Sequence, residues 1–187
     1  RTLIRKVIEE LDLYINYAAE GSFHNIELYK SSPIKVWITP EEAQKLSMPA
    51  YLNLSIQPGN KLNVKVSIGE QEYIKQFDKL PALLTTPSGT FSFTPKDSID
   101  IKSEQKIIVT VSSPYNVAND YRKALNIEPT SQSTTIAQIS VKSTHRQRGM
   151  DFINKLVEIY NRDANDDKNE VATKTAEFID ERINIIN

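Results

Sequence analysis

The chain has no cysteine, which excludes disulfides, thiol catalysis and thiolate metal sites. It has two histidines, His24 and His145, far apart in sequence, and so no His-based metal pattern. Glycine is scarce, at five of 187 residues. Neither GxxxxGK[ST] nor GxGxxG occurs, so neither of these phosphate-cradling loops is present. Gly59, Gly69 and Gly89 stand alone, as turn glycines do. No apolar run approaches the roughly 20 residues of a membrane-spanning helix. Charge of one sign is not in excess either, with 23 basic against 24 acidic side chains and a net charge of −1. A nucleic-acid partner would demand a basic face, so none is expected.

What is present suits a folded domain. Apolar residues make up 39% and charged residues 25%, values of a globular chain and not of a disordered one. Leu3, Ile4, Val7, Ile8 and Leu11 recur at helical spacing, which predicts an amphipathic helix over Leu3 to Leu13. From Ile26 to Val111 the period changes to two. Ile34, Val36 and Ile38 alternate with Lys35 and Trp37. Tyr51 to Ile56 alternates, Pro58-Gly59-Asn60 reads as a turn, and Lys61 to Ile68 alternates again. Gly69-Glu70 reads as a tight hairpin into Gln71 to Phe77, with further short strands at Thr90 to Thr94 and Lys106 to Ser112. These spacings predict an antiparallel meander with one wet face. Pro81 to Pro95 contains Thr85-Thr86-Pro87-Ser88-Gly89 and is expected to be the least tightly packed loop.

Ser113 and Pro114 predict a helix start, with Ser113 as cap and Pro114 in the first turn. Thr134 to Val141 is rich in β-branched residues and predicts a strand. Beyond Ser143-Thr144 no proline occurs. Met150, Ile153, Leu156, Val157 and Tyr160 mark one apolar stripe. Val171, Phe178, Ile179, Ile183 and Ile186 mark a second, with the polar run Asn161 to Asn169 between them. A single helix from Arg146 to Asn187 would be about 60 Å long, longer than a small domain is wide, so its far end would project. The expectation is an α+β fold, an antiparallel or mixed sheet packed with helices, over residues 1–145. Residues 146–187 then begin the projecting C-terminal helix. The chain starts inside one helical pattern and stops inside another, and is expected to be a piece of a longer protein.

Catalytic chemistry has few footholds. The histidines lack the glycine-flanked nucleophile of a hydrolase and read as ordinary residues, His145 at the start of the long helix. Asp97, Asp100 and Glu104 offer an acid pair for glycoside hydrolysis, against the plainer reading of solvated loop acids. Asp163, Asp166 and Asp167 lack the glycine and terminal glutamate of a calcium loop, so the reading is a solvated helix face. Trp37 and Tyr51 are candidates for a sugar platform, against the reading of ordinary packed aromatics. Phe178, Ile179, Ile183 and Ile186 have no evident partner in the chain. They are candidate oligomer contacts, against the reading that the helix folds back on the first one.

Several stretches, in order, resemble Wzz-type polysaccharide co-polymerases, the chain-length determinants. Val7 to Leu13 matches an E-x-L-x-L segment of that family. Leu28-Tyr29-Lys30-Ser31-Ser32-Pro33-Ile34-Lys35-Val36 resembles the strand that follows its first membrane helix. Ser133 to Ser140 looks like the strand before its long helix. Phe152 to Asn161 is similar to the A-N-x-L-x-x-x-Y helix start, with Ile153 where the family has a small residue. Lys168 to Ile183 looks like the K…A…T…F-I-x-x-R-L pattern. The long β-meander from Tyr51 to Val111 is closer to the versions fused to a tyrosine kinase.

The resemblance implies the periplasmic portion of an inner-membrane protein, a ring-like homo-oligomer, and a role with the polymerase and export machinery of capsular or exopolysaccharide. It implies no catalytic residue and no cofactor in this portion. ATP and magnesium would belong to a cytoplasmic tyrosine kinase outside it. A carbohydrate-binding or adhesin module, with Trp37, Tyr51 and Tyr73 as binding face, is the alternative. A periplasmic adaptor of an efflux system is a third.

Overall fold

The computed structural model describes residues 2–21, 25–96, 103–131 and 136–186, with side chains described as far as Arg182. Helix α1, Thr2–Glu10, buries Val7 and Ile8. It is shorter than its apolar spacing predicts, because Asp12 takes a left-handed conformation with φ 52°. The Asp12 N–H then donates to the Glu9 carbonyl, and the Leu13 N–H to the Ile8 carbonyl. This pair of bonds satisfies the last carbonyls and turns the chain out of the helix, with Asp12 where glycine is usual.

The described strands form three sheets, and every pairing is antiparallel. The largest has six strands: β1 (Ile15–Ala19), β2 (Ile26–Glu27), β4 (Ala50–Gln57), β5 (Lys61–Ile68), β6 (Gln71–Phe77) and β9 (Gln105–Val111), in the order β2-β1-β9-β4-β5-β6. The second holds β3 (Ile34–Trp37), β7 (Ala82–Thr86) and β8 (Gly89–Pro95), in the order β3-β8-β7. The third is a hairpin of β10 (Leu125–Pro129) and β11 (Ala137–Val141). Helix α2 (Pro40–Gln44) follows β3, α3 (Pro114–Ala124) follows β9, and α4 (Arg146–Ile186) ends the described chain.

The predicted α+β class is what the structure has, but the single wet-faced meander is only its β4-β5-β6 part. Leu52, Val66 and Val109 share a register row and are all buried, as are Leu54, Val64 and Ile107. The small sheet adds Ile34, Val36, Phe91 and Phe93 to the same core. Phe77 on β6 and Phe93 on β8 bring their rings within 6.1 Å, which joins the two sheets. Alternate apolar residues on facing strands make this possible, since each buries one side of its strand.

Two tyrosine hydroxyls seal the free edge of β3. The Tyr17 O–H donates to the Val36 carbonyl at 3.0 Å and accepts from the Val36 N–H at 2.9 Å. The Tyr14 O–H donates to the Ile38 carbonyl at 2.8 Å. An exposed sheet edge is a template for unwanted pairing, and these bonds remove part of it. Burial pushes the Tyr17 hydroxyl up to about 12, so it remains a donor throughout the neutral range.

The segment expected to be a loose loop, Pro81 to Pro95, is the β7–β8 hairpin. Leu84, Thr86, Phe91 and Phe93 are buried there. Alternation over so short a length was masked by the Thr-Thr-Pro-Ser-Gly turn. Gly89 has φ 145°, and a Cβ there would lie 2.9 Å from Ile38 Cδ1 and 3.1 Å from Glu42 Cβ. The position is closed to any side chain. Ser113 begins α3 but makes no side-chain cap bond, being buried instead. The predicted strand Thr134 to Val141 is observed from Ala137, and Thr134 and Thr135 lie outside the described residues.

Candidate functional site

The helix α4 divides into an anchored half and an unpartnered half. Its start is capped by His145, whose Nδ1 accepts from the Arg148 N–H at 3.4 Å. That is the place predicted for His145, whose ring also lies 5.4 Å from the Tyr29 ring. Gly149 lets the first turn approach the preceding chain, since a Cβ there would stand 3.1 Å from the Ser143 Cβ. Phe152, Leu156 and Ile159 recur at helical spacing and are buried, with the Phe152 and Tyr121 ring centroids 4.4 Å apart. This apolar seam seats α4 against α1 and α3.

Polar bonds fix the same half. Arg148 donates from Nη2 to the Leu13 carbonyl at 2.7 Å, and from Nη1 to Glu27 Oε1 at 2.8 Å and Asn16 Oδ1 at 3.1 Å. Its guanidinium lies over the Tyr121 ring, and its buried Nε has no hydrogen-bond partner among the described residues. Burial pushes the Glu27 carboxyl up, but bonds from Arg148 and Thr144 outweigh it and hold it below the ordinary value. Asp151 accepts from Lys30, Tyr29 and Gln147. Those bonds likewise outweigh burial and lower its carboxyl. Further along, Glu10 accepts from Arg162 at 2.6 Å, and Lys6 donates to Asp163 at 2.8 Å.

Past Asp163 the described hydrogen bonds and ion pairs of α4 stay within the helix. They join Asn169 to Thr173, Glu170 to Lys174, and Val171 to Thr175. Every side chain from Asn165 to Arg182 is exposed. Val171 is 64% exposed, Phe178 56% and Ile179 51%. The expectation that this stripe lies away from the domain holds for these three residues, and α4 does not fold back on α1 over that length. Ile183 and Ile186 are helical, but their side chains lie outside the described residues. From Ala164 to Ile186 the helix runs on for about 34 Å at ~1.5 Å per residue.

The aromatic platform does not assemble. Trp37 is 40% exposed on the outer face of the small sheet, in one register row with Ser92 and Leu83. Tyr51 is 50% exposed on the outer face of the six-stranded sheet. Tyr73 pairs with Val66, in the row of Leu52, and so faces the opposite side from Tyr51. Alternation shows which residues of one strand share a face, but not which strands share a sheet. Of the proposed acids, Glu104 accepts from Ser55, while Asp97 and Asp100 lie outside the described residues, as does His24. No group of three or more His, Asp or Glu side chains that could hold a metal ion occurs among the described residues.

Sequence reasoning missed the Arg148 cluster altogether. Its partners come from three separate stretches, and a lone arginine in a helix carries no spacing signal. A cavity of about 390 Å³ opens beside it, lined by Asn16, Thr110, Asp120, Tyr121 and Lys142 among others. No helix among the described residues is long and apolar enough to cross a membrane. No protein-family model matches the chain, and no curated protein matches it.

Proposed function

We propose that this chain is a non-catalytic assembly module in which the outer half of α4 packs against other copies of the protein. The observation that carries the reading is the exposed stripe Val171, Phe178 and Ile179 on a helix whose last described tie to the domain is Asp163. Helices in proteins draw most of their stability from packing of an apolar face, and an apolar stripe normally marks a surface that another element covers. The polar stretch between the two stripes suits a solvated segment spanning domain and assembly.

The resemblance to Wzz-type co-polymerases supplies the context for this reading. In that context the chain is the periplasmic portion of an inner-membrane protein and forms a ring-like homo-oligomer. It acts with the polymerase and export machinery that sets the chain length of a capsular or exopolysaccharide. Its parent carries a cytoplasmic tyrosine autokinase. The absence of cysteine makes the test direct, because one introduced thiol has no native competitor in this chain. Phe178→Cys in the full-length membrane protein is expected to give disulfide-linked dimers under mild oxidation, and native mass measurement a discrete assembly. A monomeric mass with no cross-link would overturn the proposal.

A further inference from the structure

Three lysines from three elements converge on a second cavity, of about 240 Å³. Lys30 comes from the 3₁₀ turn Tyr29–Ser31, Lys35 from β3, and Lys96 from the residue after β8. Asp12, Tyr17 and Tyr29 are also in its wall. The two described carboxylates near it, Asp12 and Asp151, are already engaged. Asp151 takes Lys30 at 2.5 Å and the Tyr29 hydroxyl at 2.8 Å on one oxygen, and Gln147 on the other. Asp12 pairs with Lys35 at 3.2 Å.

Lys96 is left over. Its ammonium donates to the Lys30 carbonyl at 2.5 Å and meets no carboxylate among the described residues. Among the described residues, three positive charges therefore stand against two negative ones in a concave wall. Burial lowers the Lys96 ammonium pKa, and repulsion from Lys35 and Lys30 lowers it further. A bound anion would relieve that repulsion, since an opposite charge close by favours the charged form. The backbone helps to hold the arrangement: the Lys96 N–H donates to the Pro33 carbonyl at 3.0 Å, so Lys96 is tied to the stretch that carries Lys30 and Lys35.

We infer that this cavity is an oxyanion site, which seats one phosphate or carboxylate group between Lys96 and Lys35. Lys30, held by Asp151, forms the outer positive wall. Lysine suits such a role as a compact charge with rotatable donors that accept either group. The inference is independent of the assembly role, because it concerns the anchored domain and needs no second copy.

The test is a titration of the 187-residue chain, followed by backbone amide shifts, with inorganic phosphate in one arm and a galacturonate trisaccharide in the other. Saturable shifts centred on Lys30, Lys35 and Lys96 are expected. Lys96→Gln should weaken binding by about fivefold or more, the scale of one lost charge contact, while Lys61→Gln on the exposed start of β5 changes it by less than about twofold. Tighter binding of phosphate would make the ligand a free or esterified phosphate, and tighter binding of the trisaccharide an acidic sugar. Either supports the site. Absence of saturable shifts with both probes up to about 50 mM, or equal weakening by the two substitutions, would overturn it.

Discussion

Glu27 on the short edge strand β2 and Arg148 in the first turn of α4 meet at 2.8 Å, with both side chains mostly buried. The contact joins the long helix to the far margin of the six-stranded sheet. Because Arg148 also serves Leu13 and Asn16, three acceptors on two separate stretches depend on one guanidinium. Arg148→Ala leaves a carboxylate, an amide oxygen and a carbonyl without their donor. Removing one partner of a buried pair costs about 3 kcal/mol. Urea unfolding of the variant is expected to show a loss of that order, and a loss below about 0.5 kcal/mol, the level of an ordinary surface change, would refute it.

The same pair gives the stability a pH dependence. The folded Glu27 carboxyl lies below its ordinary value of 4.5, so the unfolded chain binds more protons just under that pH. The contribution is therefore complete above 4.5 and is lost as pH falls through the lower folded value. Glu27→Gln is expected to be less stable than the parent at pH 7, with the gap closing below pH 4.5. A gap of constant size across that range would contradict the assignment.

The two halves of α4 should respond oppositely to truncation. Phe152 is fully buried against Tyr121, and Phe152→Ala is expected to cost about 3–5 kcal/mol. Val171 is exposed on the far half of α4, so Val171→Ala should stay within about 0.5 kcal/mol. Chemical denaturation of the isolated chain compares them directly. A large loss at Val171 would mean that the outer stripe packs within a single copy.

Much of this layout was legible beforehand, and the reasons differ by element. The long helix was readable because two apolar stripes at one period continue without proline across the polar run. Strands β4 and β5 were readable because each buries one side only, and β6 because the Gly69-Glu70 turn leads into it. Strand β1 was not, since Ile15 to Ala19 mixes polar, aromatic and small residues that become inward or outward only once β9 lies beside them. Strand β8 was expected at Thr90 to Thr94, but β7 was misread because the turn residues dominate so short a segment. The Arg148 and Lys96 clusters depend on chain crossings that no local pattern reports.

Gly89 offers a check on the misread hairpin. Its φ of 145° and the closeness of Ile38 and Glu42 leave no room for a methyl group. Gly89→Ala should cost about 1–3 kcal/mol through backbone strain and displacement of its neighbours. If thermal unfolding shows no change, the hairpin does not sit as described.

The sealed edge of β3 can be tested by one atom. Tyr17→Phe removes a hydroxyl that serves both the N–H and the carbonyl of Val36. The expected loss is about 1–3 kcal/mol, the cost of leaving buried backbone groups unmet. Faster amide exchange at Val36 should accompany it, and unchanged exchange would argue against the bridge.

A rod clamped at one end amplifies small rotations. With about 34 Å of α4 beyond its last described tie, a tilt of about 10° at the clamp displaces the far end by about 6 Å, more than one helical turn. Ligands or neighbours acting near Arg148 and Asp151 would thus be felt most strongly at Phe178 and Ile179, where the molecule has least to hold it in place.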